Sequence, residues 1–215
     1  MCPLATIRAG HGTMVTVAGK ENAAIAEAHR TLDINLRLMG KEHPGTLRSM
    51  AALAEEYRLT GDFASARTIQ EELLLIRRQQ RGDEDYFTLQ AEHRLARTLH
   101  DSGEYSSAEE LKLHVLDCFE RDYGDEDEVT DIARVSLAAT LWKLGDLRRV
   151  EKLQQDILRN RRKTLGDGHL STRQAIKALI KTKLDLGEQE DAKTLQLLLL
   201  RGWAGNFLKR VRRSG

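Results

Sequence analysis

Gly40-Lys41-Glu42-His43-Pro44-Gly45-Thr46-Leu47 and, one helix further on, Gly61-Asp62-Phe63-Ala64-Ser65-Ala66 hold the two joints on which the chain is built. Glycine returns at a constant 21-residue step, at positions 19, 40, 61, 82, 103, 124, 145, 166 and 187. Against an average content of about 7% glycine, nine consecutive hits are the signature of stacked repeats. The second joint recurs as Gly103-Glu104…Ala108, Gly145-Asp146…Val150 and Gly187-Glu188…Ala192, with an acid after the glycine and a small apolar residue five places on. The first recurs at Gly82, Gly124 and Gly166, with Thr88, Thr130 and Thr172 at the sixth place, as Thr46 is after Gly40. Because the two kinds alternate, the true repeat is 42 residues.

Between joints the apolar residues follow helical spacing. Leu47, Met50, Leu53, Ala54 and Tyr57 form the i, i+3, i+4, i+7 stripe of an amphipathic helix. The joint glycines suit the position just past a helix end, the acids behind them suit the positive end of the next helix, and Pro44 suits a first helical position. Thr46, Thr88, Thr130 and Thr172 read as hydrogen-bonding residues of a first turn rather than as catalytic ones. The spacing predicts helices at about 20–39, 44–60, 62–80, 86–102, 104–122, 128–144, 146–164, 170–186 and 188–201. Residues 1–18 read as a degenerate or truncated half repeat, 19–201 as the array, and 202–215 as a basic C-terminal cap or tail. Ala66 and Ala108 are expected at close helix contacts.

Composition agrees. A chain of 215 residues with 31% charged residues and a formal charge of +1 reads as a soluble helical protein. No apolar run approaches the roughly 18 residues of a membrane span, and the first residues lack the charged start and apolar core of a signal peptide. Cys2 and Cys118 make no disulfide framework. Cys118 takes the place of Ile76 one repeat earlier, so it reads as a buried free thiol of a reducing, cytoplasmic setting.

The helix pairs carry a finer pattern. Met50-x2-Leu53-Ala54-x2-Tyr57 followed by Ala66 has the spacing of the tetratricopeptide repeat, and so do Leu95-Ala96-x2-Leu99…Ala108, Leu137-Ala138-x2-Leu141…Val150 and, more weakly, Leu179-Ile180…Ala192. With a 42-residue period and a Gly-x-x-His-Pro-x-Thr joint, the chain resembles the kinesin light chain type of that repeat. It departs from the family at the later joints, which lose His-Pro. It departs also on the first helices, where Ala52, Arg94, Ser136 and Ala178 replace an asparagine the family often carries. The resemblance implies an all-α, right-handed α-solenoid of antiparallel helix pairs. HEAT and armadillo units would not need a glycine at each helix end, and propellers and leucine-rich repeats need strands that this pattern lacks.

Nothing in the sequence assembles a catalytic centre. The seven histidines are scattered and accompanied by no HExxH, no paired CxxC and no phosphate-cradling glycine loop. His93 and His100 share a helix face, yet no clear third ligand accompanies them. Asp83-Glu84-Asp85 and Asp125-Glu126-Asp127-Glu128 read as helix-capping acids rather than a calcium loop. The reading is therefore of a protein that is not an enzyme and uses no cofactor, metal or small-molecule substrate.

In the family, the second, fifth, ninth, twelfth and thirteenth positions of each first helix line a concave groove. Carried across by register, these are Arg48, Ala51, Glu55, Arg58 and Leu59, then Gln90, His93, Arg97, His100 and Asp101. The later pairs give Ile132, Val135, Ala139, Trp142 and Lys143, then Gln174, Lys177, Lys181, Leu184 and Asp185. Six are Arg or Lys and three are acidic, so the implied groove is net basic. The resemblance thus implies a protein-interaction scaffold that holds an acidic, extended peptide segment of a partner. Trp142 reads either as its apolar anchor or as a residue packed against the neighbouring pair. The alternative is a sensor or oligomerisation segment of a larger signalling NTPase or regulator. In the tail, Trp203, Phe207, Leu208 and Val211 beside Lys209, Arg210, Arg212 and Arg213 read as a capping helix, with contact to acidic lipid or nucleic acid the weaker reading.

Overall fold

A computed structural model describes the backbone of residues 8–211 and the side chains of residues 23–200. Among the described residues the chain is helical throughout, in nine elements: α1 (Arg8–Met39), α2 (Pro44–Leu59), α3 (Phe63–Arg81), α4 (Tyr86–Asp101), α5 (Tyr105–Tyr123), α6 (Glu128–Leu144), α7 (Leu147–Leu165), α8 (Leu170–Asp185) and α9 (Gln189–Val211). They form two compact units, Met1–Gly103 and Glu104–Gly215.

Both expected joints are present, and their chemistry explains the helix ends. At the tight joint, Gly61 takes φ +85° and its N–H donates to Arg58 O at 3.1 Å, while Asp62 N–H donates to Tyr57 O at 2.9 Å. This is the paired 6→1 and 5→2 bonding that satisfies the last carbonyls of a helix, and it requires a left-handed residue at the turn. Asp62 then becomes the N-cap of α3, its carboxylate accepting from Ser65 N–H at 3.1 Å. Asp146 does the same for α7, so at these two joints the acid caps the next helix from outside rather than sitting within its first turn, whereas Glu104 holds the N-cap position of α5 without a side-chain capping bond. At the wider joint, His43 and His169 accept through Nδ1 from Gly45 N–H (3.0 Å) and Ser171 N–H (3.2 Å), and Asp85 and Asp127 perform the same task with a carboxylate. Loss of the histidine at two joints thus leaves the capping function intact.

The joint threonines are fully buried and reach backwards across the joint. The Thr130 hydroxyl donates to Phe119 O at 3.2 Å and that of Thr172 to Arg161 O at 3.2 Å, eleven residues upstream in both cases. Thr46 Oγ1 lies 3.3 Å from Asn35 O at the same offset and donates to Gly40 O at 2.6 Å. Thr88 departs from this pattern: its hydroxyl is buried and has no hydrogen-bond partner among the described residues.

In the first unit α1 packs on α2, α2 on α3 and α3 on α4, and α2 also meets α4. The core of this unit is the predicted stripe, with Leu47, Met50, Leu53 and Ala54 of α2 against Ala66, Leu73, Leu74 and Ile76 of α3 and Leu89, Leu95, Ala96 and Leu99 of α4. In the second unit each helix from α5 to α9 packs on the next. Val115, Leu116 and Phe119 of α5, Leu137 and Leu141 of α6, and Val150, Ile157 and Leu158 of α7 are buried there, with Ile176 and Leu179 of α8. Ala66 and Ala108, expected at close contacts, are wholly buried. Cys118 is a buried free thiol whose Sγ lies 3.7 Å from His114 Nε2.

Two expected boundaries are corrected. Gly19 is not a joint but lies inside α1, which runs unbroken from Arg8; Lys20 stands where the four tight joints have Asp or Glu. Helix α9 does not stop near residue 201 but continues to Val211. Cys2 and residues 212–215 lie outside the described residues, and the side chains of Trp203, Phe207, Leu208, Lys209, Arg210 and Val211 lie outside the described side chains.

Candidate interaction surface

The first helices of the pairs, α2 and α4 in one unit and α6 and α8 in the other, carry the residues that register assigns to a binding face. In the first unit this face divides into two electrostatic zones. Near the C-terminal ends of α2 and α4, Arg58 donates through Nε to Glu55 Oε2 (3.0 Å) and through Nη2 to Glu55 Oε1 (2.7 Å), while its Nη1 pairs with Asp101. Arg97 Nη2 stands 3.5 Å from the same Glu55 Oε1. The hydrogen bond to Glu55 raises the Arg58 pKa against the opposing effect of burial, and the bond from Arg58 holds Glu55 below the ordinary carboxylate range. Two of the expected groove cations are therefore neutralised by acids of the same face.

Toward the N-terminal ends of α2 and α4 the zone is different. A cavity of about 390 Å³ opens between the two helices over the end of α3. Arg48 of α2, Arg77 and Arg81 of α3, and Phe87, Gln90 and Arg94 of α4 line it, and no Asp or Glu is among its lining residues. The guanidinium carbons of Arg77 and Arg81 stand 5.2 and 5.1 Å from the Phe87 ring centroid. His93 and His100, farther along α4, are half-buried.

In the second unit, Trp142 of α6 is half-buried and Lys181 of α8 places Nζ 4.5 Å from its ring centroid. Lys143, Gln174 and Lys177 are exposed around them, and among the described residues Lys143 and Lys177 carry no ion pair. By contrast, the buried cations of this unit are held by the protein itself. Arg134 donates through Nε to Glu120 at 3.0 Å and pairs with Asp125, and Lys183 meets Glu151 at 2.6 Å and Asp191 at 2.8 Å. Among the described residues no group of three or more His, Cys, Asp or Glu is placed to hold a metal ion, and no helix is long and apolar enough to cross a membrane.

A tetratricopeptide repeat profile matches the sequence three times, over residues 4–79, 57–121 and 87–163. The chain belongs to the tetratricopeptide repeat family. Solved structures agree in fold. One is a Podosopora anserina protein named for kinesin light chain, with nearly identical TPR-like repeats; it is 22% identical, aligns over 88% of this chain and 90% of its own, and has a TM-score of 0.77. BtubC (BKLC) from P. vanneervenii is 19% identical over 84% of this chain and 72% of its own, with a TM-score of 0.71. The apo form of RapI is 14% identical over 86% of this chain and 48% of its own, with a TM-score of 0.66. No curated protein sequence matches the chain. The chain is thus built of α-helical tetratricopeptide repeats, a class that serves as protein-interaction scaffold, and shares its fold with these kinesin light chain-like structures.

Register reached Arg48, Ala51 and Gln90 of the first unit's open cavity but passed over Arg77, Arg81 and Arg94. Arg77 falls in the buried stripe Gln70, Leu73, Leu74, Arg77 of α3, where the next repeat has Phe119. An arginine on the apolar face of an amphipathic helix was the available signal, and it lies on the second helix of a pair, outside the positions credited with groove contacts. Arg94 stands at the position where the family often has asparagine.

Proposed function

We propose that the chain is a scaffold whose first helices hold an acidic, extended segment of a partner protein. The observation that carries this reading is the second unit's Lys181 over the Trp142 ring, with exposed Lys143 next to Trp142 in sequence and exposed Lys177 one helical turn before Lys181, both free of ion pairs among the described residues. A half-exposed aromatic ring beside uncompensated cations offers apolar anchorage and electrostatic attraction at one place. In the first unit Arg58 and Arg97 contribute less than their charges suggest, since Glu55 and Asp101 already occupy them. Arg48, Gln90 and the residues about them form the open part of that face, and Gln174 of α8 adds a polar side chain in the second unit.

The test is a titration of the full chain with a labelled pool of Asp/Glu-rich peptides and with the charge-inverted pool. Only the acidic pool is expected to bind, with affinity falling as salt rises, because exposed charges are screened over about 10 Å at 0.1 M. Lys143→Glu with Lys177→Glu should slow association more than it speeds dissociation. Lys152→Glu on α7 is the control. Loss of binding in that control, with full binding in the double variant, would move the partner to the second helices and end this reading.

A further inference from the structure

Arg77 is 8% exposed and, among the described residues, its guanidinium has no hydrogen bond and no ion pair; its one polar contact is the face of Phe87. Every other buried cation described has a partner. Lys112 donates to Ser136 O and Thr140 Oγ1 at 3.1 and 2.6 Å, and Arg134 and Lys183 sit among carboxylates. A buried charge without a direct partner is costly, and Arg77 shows it: burial first and the neighbouring Arg81 second pull its pKa below the ordinary arginine value, against a smaller opposing effect of Asp85. The same cavity collects Arg48, Arg81 and Arg94. Among the described residues Arg48 and Arg94 also lack ion pairs, and Arg81 has Asp85 at 3.7 Å. Glu55, on the face of α2, is hydrogen-bonded by Arg58, and Arg94 acts on it only through the longer-range attraction of its charge.

We propose that this cavity of the first unit is a binding pocket for a phosphorylated side chain of a peptide partner. The proposal rests on the scaffold reading above, because it supposes that the face of the first helices receives a partner segment. Four guanidinium groups line the cavity and one carboxylate, Asp85, pairs with Arg81 at 3.7 Å, so the positive charge exceeds what that single carboxylate neutralises. A phosphomonoester brings a charge of about −1.5 to −2 and three acceptor oxygens, and clustered arginines are the usual means of reading it. Arg77 and Arg81, one turn apart on α3, both place their guanidinium carbons within cation–π range of the Phe87 ring, so two forks are gathered at one place. The volume, about 390 Å³, lies within the range of about 300–1,000 Å³ that ligand sites occupy. The repeat itself does not require this charge: one period on, the positions of Arg48, Arg77, Arg81 and Arg94 hold Gln90, Phe119, Tyr123 and Ser136.

Four probes test it on the full chain: a degenerate heptapeptide pool with central phosphothreonine, the same pool with threonine, the same with glutamate, and inorganic phosphate alone. The phosphothreonine pool should bind at least tenfold more tightly than either other pool and than phosphate. Arg48→Ala with Arg94→Ala, which touches no buried residue, should remove that advantage while leaving the thermal melt in place. Arg77→Lys, which keeps the charge and loses the fork, should reduce it in part. Equal binding of the three pools, phosphate binding as tightly as the phosphorylated pool, or an advantage that survives the double variant would each overturn the proposal. Lys143→Glu with Lys177→Glu separates the two readings. If the glutamate pool binds through those lysines and phosphate adds nothing, the pocket fails and the scaffold stands. If the phosphorylated pool depends on Arg48 and Arg94, and the Asp/Glu-rich pool binds no better than its charge-inverted counterpart or ignores the lysines, the pocket stands and the acidic-segment reading of the second unit fails.

Discussion

Lys181 of α8 holds its ammonium 4.5 Å from the centre of the Trp142 ring of α6, so two residues 39 positions apart form a single feature of the second unit's face. A cation over an indole at a solvent-accessible site is worth about 0.5–1 kcal/mol. Lys181→Met should therefore lower the unfolding free energy by that order and shift tryptophan emission, read by urea denaturation followed by fluorescence. If a partner segment seats on the ring, Trp142→Ala should weaken its affinity by about 2 kcal/mol or more. Unchanged stability and emission in Lys181→Met would mean that the contact contributes nothing in solution.

Thr130 and Thr88 occupy the same place in successive repeats and make opposite predictions. Replacing Thr130 by Val removes a buried hydroxyl that donates to Phe119 O at 3.2 Å, and should cost about 0.5–1.5 kcal/mol. Thr88→Val removes a buried hydroxyl without a partner among the described residues, and should be neutral or stabilising. Chemical denaturation of the two variants side by side decides it. A Thr88→Val loss as large as that of Thr130→Val would contradict the contrast.

Ala66 and Ala108 are each 0% exposed, and neither position has room for three more carbons. Ala66→Leu and Ala108→Leu should each destabilise by about 1–3 kcal/mol through overpacking. A thermal melt that matches the parent chain in both would show the helix contacts to be looser than described.

Acid should weaken the fold. Glu55 is held below the ordinary carboxylate range by its hydrogen bond from Arg58, Asp62 by its bonds from Ser65, and Glu188 by its bonds from Lys183 and Arg148. A carboxylate whose folded pKa is depressed contributes stability above its unfolded value, and that contribution disappears as pH falls through the folded value. The melting temperature should be level from about pH 5 to 8 with respect to these groups and fall below about pH 4.5. Glu55→Gln should lower stability at neutral pH and flatten the acid slope. A melting temperature indifferent to pH between about 3 and 7 would show these bonds to be of no consequence for folding.

Much of this architecture was legible because the repeat states each joint four times. A glycine followed by Asp or Glu marks where one helix is closed and the next is capped, and α2, α3, α4 and α6 begin and end within a residue or so of the places that spacing assigns. Gly19 misled because its spacing fits while its neighbour does not: Lys20 cannot accept the N–H groups a new helix would present, so the helix continues. The binding face was legible as a set of positions and not as an electrostatic surface. Arg58 and Glu55 are three residues apart, and their pairing follows from helical spacing, but the pairing of Arg58 with Asp101 depends on how α2 meets α4. Arg77 was hidden for the opposite reason, since its place on the buried stripe of α3 says core while its charge says surface.

The threonine at three of the four wider joints addresses a main-chain carbonyl, so it is indifferent to the side chain that the carbonyl belongs to. Asn35, Phe119 and Arg161 are an amide, an aromatic ring and a guanidinium, yet each offers the same oxygen at the same offset to Thr46, Thr130 and Thr172. A fastening of that kind lets the surfaces on either side drift apart in sequence without a matching change across the seam. Copies of one ancestral unit could accumulate different charges, as Arg77 and Phe119 have at one position, and still be joined in any order.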